Sequence, residues 1–354
     1  MPFDEQLNLL RNRGLAVADP ARAIKDLKRI GYYRLSGYLY PLRRVEQQPG
    51  AKRPRRLDHY VDGAAFEDGV GLHDFDHRLS QCLLDGLQQV EIGLRVKVGY
   101  TLGKRGALAH LDPANLGPKA RQTSSRLRGQ THYEVWRHQY DQQQAKARNG
   151  KQEFVLHFEK KYDGNVPIWA AVEFMTMGCL IALLDLLVPR DQRQIARELG
   201  VKDQKTLLGW LRPLNVLRNH CAHGNRVWNR TVVFQADRLN LDMLLAPDVL
   251  AHLASSPKAP VDRKVYFHAA TTAYLLRAIN PTTTWPESFV NAMGTFPDSG
   301  WALGLTPQTS MGFPDHWDEL ALWNGPAHGR PCSQPRSDVV YRSSDQKPPH
   351  RHRW

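Results

Sequence analysis

Residues 65–102 read AFEDGVGLHDFDHRLSQCLLDGLQQVEIGLRVKVGYTL, and the spacing of the apolar positions in this stretch decides the fold. Leu72, Phe75, Leu79, Leu83, Leu87, Val90 and Leu94 recur at three- and four-residue steps. That is the period of one buried face of an α-helix, not the alternation of a strand. The spacing predicts a long helix over 65–102, with Gly71 as the point where it can break. Glu91 and Arg95 fall four residues apart on it and read as an i,i+4 surface pair.

Working outward, the same logic extends in both directions. Residues 3–13 form a short amphipathic piece. Asp19 followed by Pro20 has the form of an N-cap and a first-turn proline, opening a helix that carries Ile24, Leu27 and Ile30. Gly31 interrupts it before Tyr32–Tyr40. Residues 43–56 gather Arg43, Arg44, Lys52, Arg53, Arg55 and Arg56 among Gln, Pro and Gly, which reads as an exposed basic loop. Residues 112–151 are polar and partly loop. Further helices are expected at 154–162, from Pro167 through Leu184, from Leu207 to Leu217 and at 263–279. Strand-like alternation is scarce. The expected organisation is a small N-terminal helical unit with its basic loop (1–62), a helical domain (63–280), an irregular closing segment (281–323) and a disordered tail (324–354).

Composition narrows the function classes. The 354 residues carry 48 Lys and Arg against 35 Asp and Glu, a formal charge of +13 that favours a polyanionic partner such as RNA. Cys82, Cys179, Cys221 and Cys332 lie far apart with no C-x-x-C pair, so neither zinc nor a redox motif is expected, and a reducing cytoplasm suits them. The N-terminus has no apolar signal core. The most apolar run, Leu180–Val188, contains Asp185 and is too short to span a bilayer, so no membrane association is expected.

The chemistry concentrates in LRNHCAHGNRVWNR, residues 217–230. Arg218 and His223 form an R-x4-H arrangement. Arginine grips phosphate oxygens with paired N–H donors, and imidazole exchanges protons near neutral pH. Five residues advance a helix by about 500°, so the two side chains diverge by about 140° and cannot easily meet on one helix. Facing helices in a two-fold dimer resolve this, with two arginines and two histidines around one cleft. RNA supplies its own nucleophile, the 2′-OH. His223 would serve as base or acid, Arg218 would stabilise the phosphorane, and Asn219 would orient phosphate or imidazole. His220 is a supporting group or a plain surface residue. No clustered carboxylates are present to hold a metal, and no cofactor is expected. An Arg–His pair at a helix end also occurs as a capped, solvated surface, so the pair alone does not establish a nuclease.

The surrounding blocks add to this. Leu217–Arg230 resembles the signature of bacterial abortive-infection proteins of the AbiD/AbiF type, in the HEPN superfamily of helical ribonucleases and RNA-binding modules. The resemblance continues in Phe3–Leu42 (notably Ile30-Gly31-Tyr32-Tyr33-Arg34-Leu35-Ser36-Gly37-Tyr38), in Phe75-Asp76-His77-Arg78-Leu79 with Val90–Arg95, in Pro167–Glu173, and in Gly312–Trp317 with Trp323. It implies an all-α fold with a HEPN-like helical bundle, a dimer, and Arg218 and His223 as the ribonuclease pair. Arg226 and Arg230 would extend the phosphate cleft, Asn229 completes the motif, and Trp228 would pack or stack on a base. Many relatives carry a second histidine where this chain has Gly224, and a glycine there lets the helix end or bend.

Several other groups have two readings. Glu173, in an otherwise apolar helix, is either rim-exposed or paired with an arginine, and would orient Arg218 or His223. Tyr32, Tyr33, Tyr38 and Tyr40 beside Arg34 would stack on nucleotides or pack in the core. The basic loop would steer RNA or simply be solvated. His73, Asp74, Asp76 and His77 look like a metal cluster, but a helix splits them across its faces. The resulting expectation is a cytoplasmic, metal-independent endoribonuclease of an anti-phage abortive-infection system, a toxin restrained by an antitoxin protein or an inhibitory RNA. The alternatives are a non-catalytic HEPN RNA-binding module and a partner-regulated helical scaffold.

Overall fold

A single helix of 38 residues, about 57 Å long, forms the axis of the molecule. In this computed structural model, which describes residues 1–47, 54–123, 129–232, 239–254 and 263–324, the helix runs without a break from Phe66 to Gly103. Gly71 does not interrupt it. Leu72, Phe75, Leu79, Leu83, Leu87, Val90, Leu94, Val98 and Leu102 are all buried, as their spacing requires.

The helices follow in chain order as α1 (Phe3–Asn12), α2 (Pro20–Ile30), α3 (Tyr32–Leu39), α4 (Phe66–Gly103), α5 (His132–Asn149), α6 (Glu153–Tyr162), α7 (Ile168–Phe174), α8 (Met177–Leu186), α9 (Pro189–Glu198), α10 (Gln204–Ala222), α11 (Ala251–Ala254), α12 (Val265–Ile279), α13 (Trp285–Met293), α14 (Asp298–Ala302), α15 (Pro307–Met311) and α16 (Ala321–Asn324). The fold is all-α. Helices α3, α7, α10, α12 and α13 pack directly on α4. One apolar cluster surrounds the length of α4. A second joins Leu7, Leu10, Leu27, Leu35, Leu39 and Tyr60 beneath α1–α3.

Local chemistry sets the helix ends. Asp19 caps α2 by accepting the Arg22 amide at 3.0 Å, with Pro20 in the first turn as expected. Asp203 caps α10 through the Lys205 and Thr206 amides.

Three expectations change. The basic stretch 43–56 is not a plain loop: β1 (Arg43–Glu46) and β2 (Arg55–Tyr60) pair antiparallel, with Val45 opposite Arg56. Its residues are mostly exposed and charged, so no apolar alternation announced the strands. Arg43 pairs with Asp58 at 2.9 Å, and Arg56 lies over the Tyr40 ring, so part of that charge is engaged internally. Lys52 and Arg53 lie outside the described residues. The single helix expected from Pro167 divides at Met175 and Thr176, where the chain extends and the Thr176 hydroxyl caps α8. The closing segment carries the four short helices α13–α16. Phe313, Trp317 and Trp323 of that segment pack edge-on or tilted against Tyr266 of α12, and Trp285 and Phe289 extend the cluster. Its Pro- and Gly-rich composition hid a set of aromatic anchors. The tail expected over 324–354 lies outside the described residues, apart from Asn324.

Candidate functional site

The R-x4-H segment occupies the last turn of α10 and the residues after it. α10 ends at Ala222, and His223 is its C-cap. Gly224 then adopts the left-handed conformation, φ +62°. The Gly224 amide donates to Cys221 O at 3.1 Å and the Asn225 amide to His220 O at 3.0 Å. This pair of bonds is a Schellman motif, which satisfies two orphan carbonyls and favours glycine at this position. Gly224 is therefore what stops the helix. His223 is left exposed at its tip.

Arg218 faces another way. It sits one turn back, half-buried, and its Nε lies 3.3 Å from Glu91 Oε2 on α4. Both atoms are buried and lack hydrogen-bond geometry, so the contact is ionic. Glu91 is only 3 % exposed, so its pairing with Arg95 is not the surface pair expected. Arg95 Nη2 donates to Glu91 Oε1 at 2.7 Å and to Met175 O at 3.1 Å. The Met175 carbonyl is available because the chain extends between α7 and α8. Glu173 remains on the rim, 3.6 Å from Arg95. It does not reach Arg218 or His223, so the orienting role expected of Glu173 falls instead to Glu91. Arg218 Nη1 donates to the exposed Asn219 Oδ1 at 3.4 Å. Two carboxylates and two guanidiniums thus form one charge-balanced cluster.

A second cluster surrounds the helix end. Asn225 Nδ2 lies 3.2 Å from His220 Nδ1. Burial, then the Arg230 and His223 charges, push His220 below its ordinary pKa. No hydrogen bond or ion pair joins Arg218 to His223 among the described residues. One chain therefore keeps the two apart, as the helical angle requires.

The segment beyond Gly224 has a structural role. Arg34 of α3 donates to Gly224 O at 2.7 Å, and Arg226 donates back to Gly37 O of α3. Asp76 of α4, 2 % exposed, accepts the Val227 amide at 3.1 Å, the Trp228 amide at 2.7 Å and the Tyr38 hydroxyl at 2.7 Å. Burial dominates Asp76 and raises its pKa, although these three donors and Arg226 pull the other way. Trp228 is fully buried beside Phe296, so it packs within the protein and is not open to a base. Arg226 is held on α3, and Arg230 Nη1 donates to Arg226 O at 3.4 Å, so both guanidiniums have partners within the chain. Asn229 is half-buried.

Sequence reasoning missed the clasp residues Arg34, Gly37, Tyr38 and Asp76. The available signal was their position inside the blocks that carry the family resemblance. The apparent metal cluster is dispersed, because Asp76 caps the 227–228 backbone while Asp74 bonds Arg29 at 2.8 Å and His73 at 2.8 Å. Of the tyrosines, Tyr38 is core, whereas Tyr33 is 91 % exposed beside Arg34.

An apolar surface borders the charge cluster. Ile92, Val96 and Tyr100 line successive turns of α4, and Trp169 of α7 lies over Gly99 and Gly103; all four are 55–66 % exposed. Glu173 follows Trp169 by one turn. A monomer seldom presents several large hydrophobic side chains together on one face.

A model of the family described as Abi-like protein matches residues 25–229. The chain belongs to that family. The match begins in α2 and ends at Asn229, so it includes α3, α4 and the end of α10, the three elements that form the clasp. Membership in the Abi-like family identifies an abortive-infection protein, with a role in anti-phage defence. No curated protein and no solved structure matches the chain. No helix among the described residues is long and apolar enough to cross a membrane.

Proposed function

We propose that this Abi-like protein is a metal-independent endoribonuclease of the AbiD/AbiF type, with a HEPN-like bundle and a site completed by two copies of the chain. The observation that carries this reading is the placement of Arg218 and His223. Arg218 is held at its Nε edge by Glu91 while its Nη1 reaches the exposed Asn219, and His223 stands exposed at the helix tip beyond the Schellman turn. The apolar stripe of Ile92, Val96, Tyr100 and Trp169 adjoins that cluster, and a second copy docking there would bring facing helix ends to one cleft.

In such a cleft one imidazole takes the proton of the ribose 2′-OH. The O2′–P bond forms as the P–O5′ bond breaks, and the leaving 5′ oxygen takes a proton from the partner's imidazole. The paired Arg218 side chains stabilise the phosphorane charge, and Asn219 orients the phosphate. The products are a 2′,3′-cyclic phosphate and a 5′-hydroxyl. Activity of this kind in a cytoplasmic toxin needs restraint, by an antitoxin protein or an inhibitory RNA.

The test is purified protein with tRNA and total RNA in EDTA, beside Arg218→Ala and His223→Ala. Cyclic-phosphate ends from the wild type and from neither variant would support the reading. A strict Mg²⁺ requirement, or undiminished cleavage by His223→Ala, would overturn it. The Glu91–Arg218 contact also suits a non-catalytic RNA-binding module, which the same experiment separates, because that module would bind RNA and cut none.

A further inference from the structure

Helix α9 carries three arginines on its outer face. Arg190, Arg193 and Arg197 are all exposed, and together with Gln194 and Glu198 they bound a shallow groove of about 340 Å³. Their spacing places the guanidiniums on one side of the helix, with rises of about 4.5 and 6 Å between them. None of the three has an ion-pair partner among the described residues. Elsewhere on the surface Arg29, Arg105, Arg137 and Arg148 are each matched to a carboxylate.

The acids of α9 are already paired. Asp191 is buried and taken by Arg105 at 2.8 Å. Glu198 is held by Lys97 of α4 at 3.2 Å and by Gln194 at 3.0 Å. Burial pushes the Glu198 carboxyl up, but those two bonds and the Lys97 and Lys104 charges outweigh it and keep it below the usual range. Lys104 lies over the exposed Tyr100 ring, 4.3 Å from its centroid. The cationic face therefore continues from α9 onto the C-terminal part of α4, and Lys97 stands about 9 Å along the helix axis from Glu91. Like charges at i,i+3 and i,i+4 cost an isolated helix a few tenths of a kcal/mol each. Three guanidiniums on one helix face without a matching acid leave an excess of positive charge that a polyanion can neutralise.

We propose that Arg190, Arg193 and Arg197, with Lys104 and Tyr100 beside them, form a second nucleic-acid-binding face that holds the sugar–phosphate backbone of single-stranded RNA outside the R-x4-H cluster. The proposal rests on the RNA reading above, but not on cleavage. Guanidiniums grip successive phosphates in paired fashion, and Tyr100 offers a stacking surface. Such contacts are independent of base sequence. They give affinity and register, and the chemistry stays with Arg218 and His223.

The test uses the full-length His223→Ala protein, so that the RNA survives, and reads fluorescence anisotropy of a labelled single-stranded 20-nucleotide RNA across a salt series. The triple variant Arg190→Gln/Arg193→Gln/Arg197→Gln on that background should raise Kd by tenfold or more at about 0.1 M salt. The slope of log K against log salt should shrink by about 2, since each single-strand phosphate contact contributes about 0.7. The corresponding triple lysine variant should recover much of both, because it restores the charge. An affinity and slope unchanged in the glutamine variant, or no RNA binding by the parent, would overturn the proposal. If His223→Ala still cleaves RNA, the nuclease assignment fails, and the same comparison on a 2′-O-methylated strand, which has no 2′-OH to attack, still decides the α9 face.

Discussion

Glu91 Oε2 lies 3.3 Å from Arg218 Nε, while Glu91 Oε1 lies 2.7 Å from Arg95, so one buried carboxylate sets the positions of two guanidiniums. Glu91→Gln keeps the shape and removes the charge. Arg95 retains Glu173, whereas Arg218 is left without an acid. Both arginines keep some solvent, so we expect a loss of about 1–2 kcal/mol by urea denaturation rather than the full cost of breaking a buried pair. RNA cleavage should fall tenfold or more, mainly in kcat, because the guanidinium is mispositioned rather than missing. Unchanged kcat with normal stability would remove Glu91 from the site.

Gly224 holds a left-handed backbone at φ +62°, and a Cβ there would find open space apart from Arg34 at 3.8 Å. The penalty for another residue is conformational, not steric. Gly224→Ala should lower stability by about 1 kcal/mol, and Gly224→Asn by less, since asparagine tolerates this region. Thermal melts of the two variants check the order. Gly224→His should also destabilise the chain, for the same conformational reason.

Asp76 and Asp74 are two residues apart and predict opposite outcomes. Asp76→Ala strands two buried amides and the Tyr38 hydroxyl, at roughly 1–3 kcal/mol each. Asp74→Ala removes a partly exposed pair with Arg29, which is worth under about 1 kcal/mol. Denaturant midpoints of the two variants should therefore separate widely. Equal losses would mean that the clasp contributes no stability.

Stability should fall in acid for a specific reason. Burial lowers His110 to about 3, with the Arg137 charge adding to it, and burial alone lowers His252 to about 4 and His268 to about 3. Each folded pKa lies below the ordinary value of about 6.5, so unfolding takes up protons. The stability of the neutral imidazoles is present above about pH 6.5 and is lost as pH falls from there toward 4, by up to about 1.4 kcal/mol per pH unit for each group. His268, fully enclosed in α12, should dominate. His268→Leu should flatten the pH dependence of Tm between pH 7 and 5, and an unchanged slope would rule out His268 as its source.

Val96 is 66 % exposed on the stripe beside the charge cluster. Val96→Asp should leave the melting temperature of the single chain intact while shifting sedimentation toward monomer and abolishing cleavage. A dimer that survives the substitution at low micromolar concentration would place the interface elsewhere.

The helical framework was legible because burial imposes a period, and α4 shows it over its whole length. Capping was legible at Asp19-Pro20 for the same local reason. The β1–β2 pairing was not, since exposed arginines and acids carry no alternation, and the division of α7 from α8 was not, since Met175 and Thr176 are compatible with a continuing helix. At the site, spacing alone established that Arg218 and His223 diverge. It did not reveal that Glu91 is buried, that Trp228 points inward, or that Asp76 caps a backbone 151 residues away. Those depend on which surfaces meet, and that information is distributed over the entire chain.

The bond from Arg34 to Gly224 spans 190 positions, and it joins a helix made early in translation to a turn made late. Until the ribosome has delivered Trp228, Arg34 and Asp76 have nothing to hold and the turn bearing His223 has no anchor. A nascent or prematurely terminated chain thus lacks the ordered turn, and whatever the segment around His223 does must wait for the finished protein.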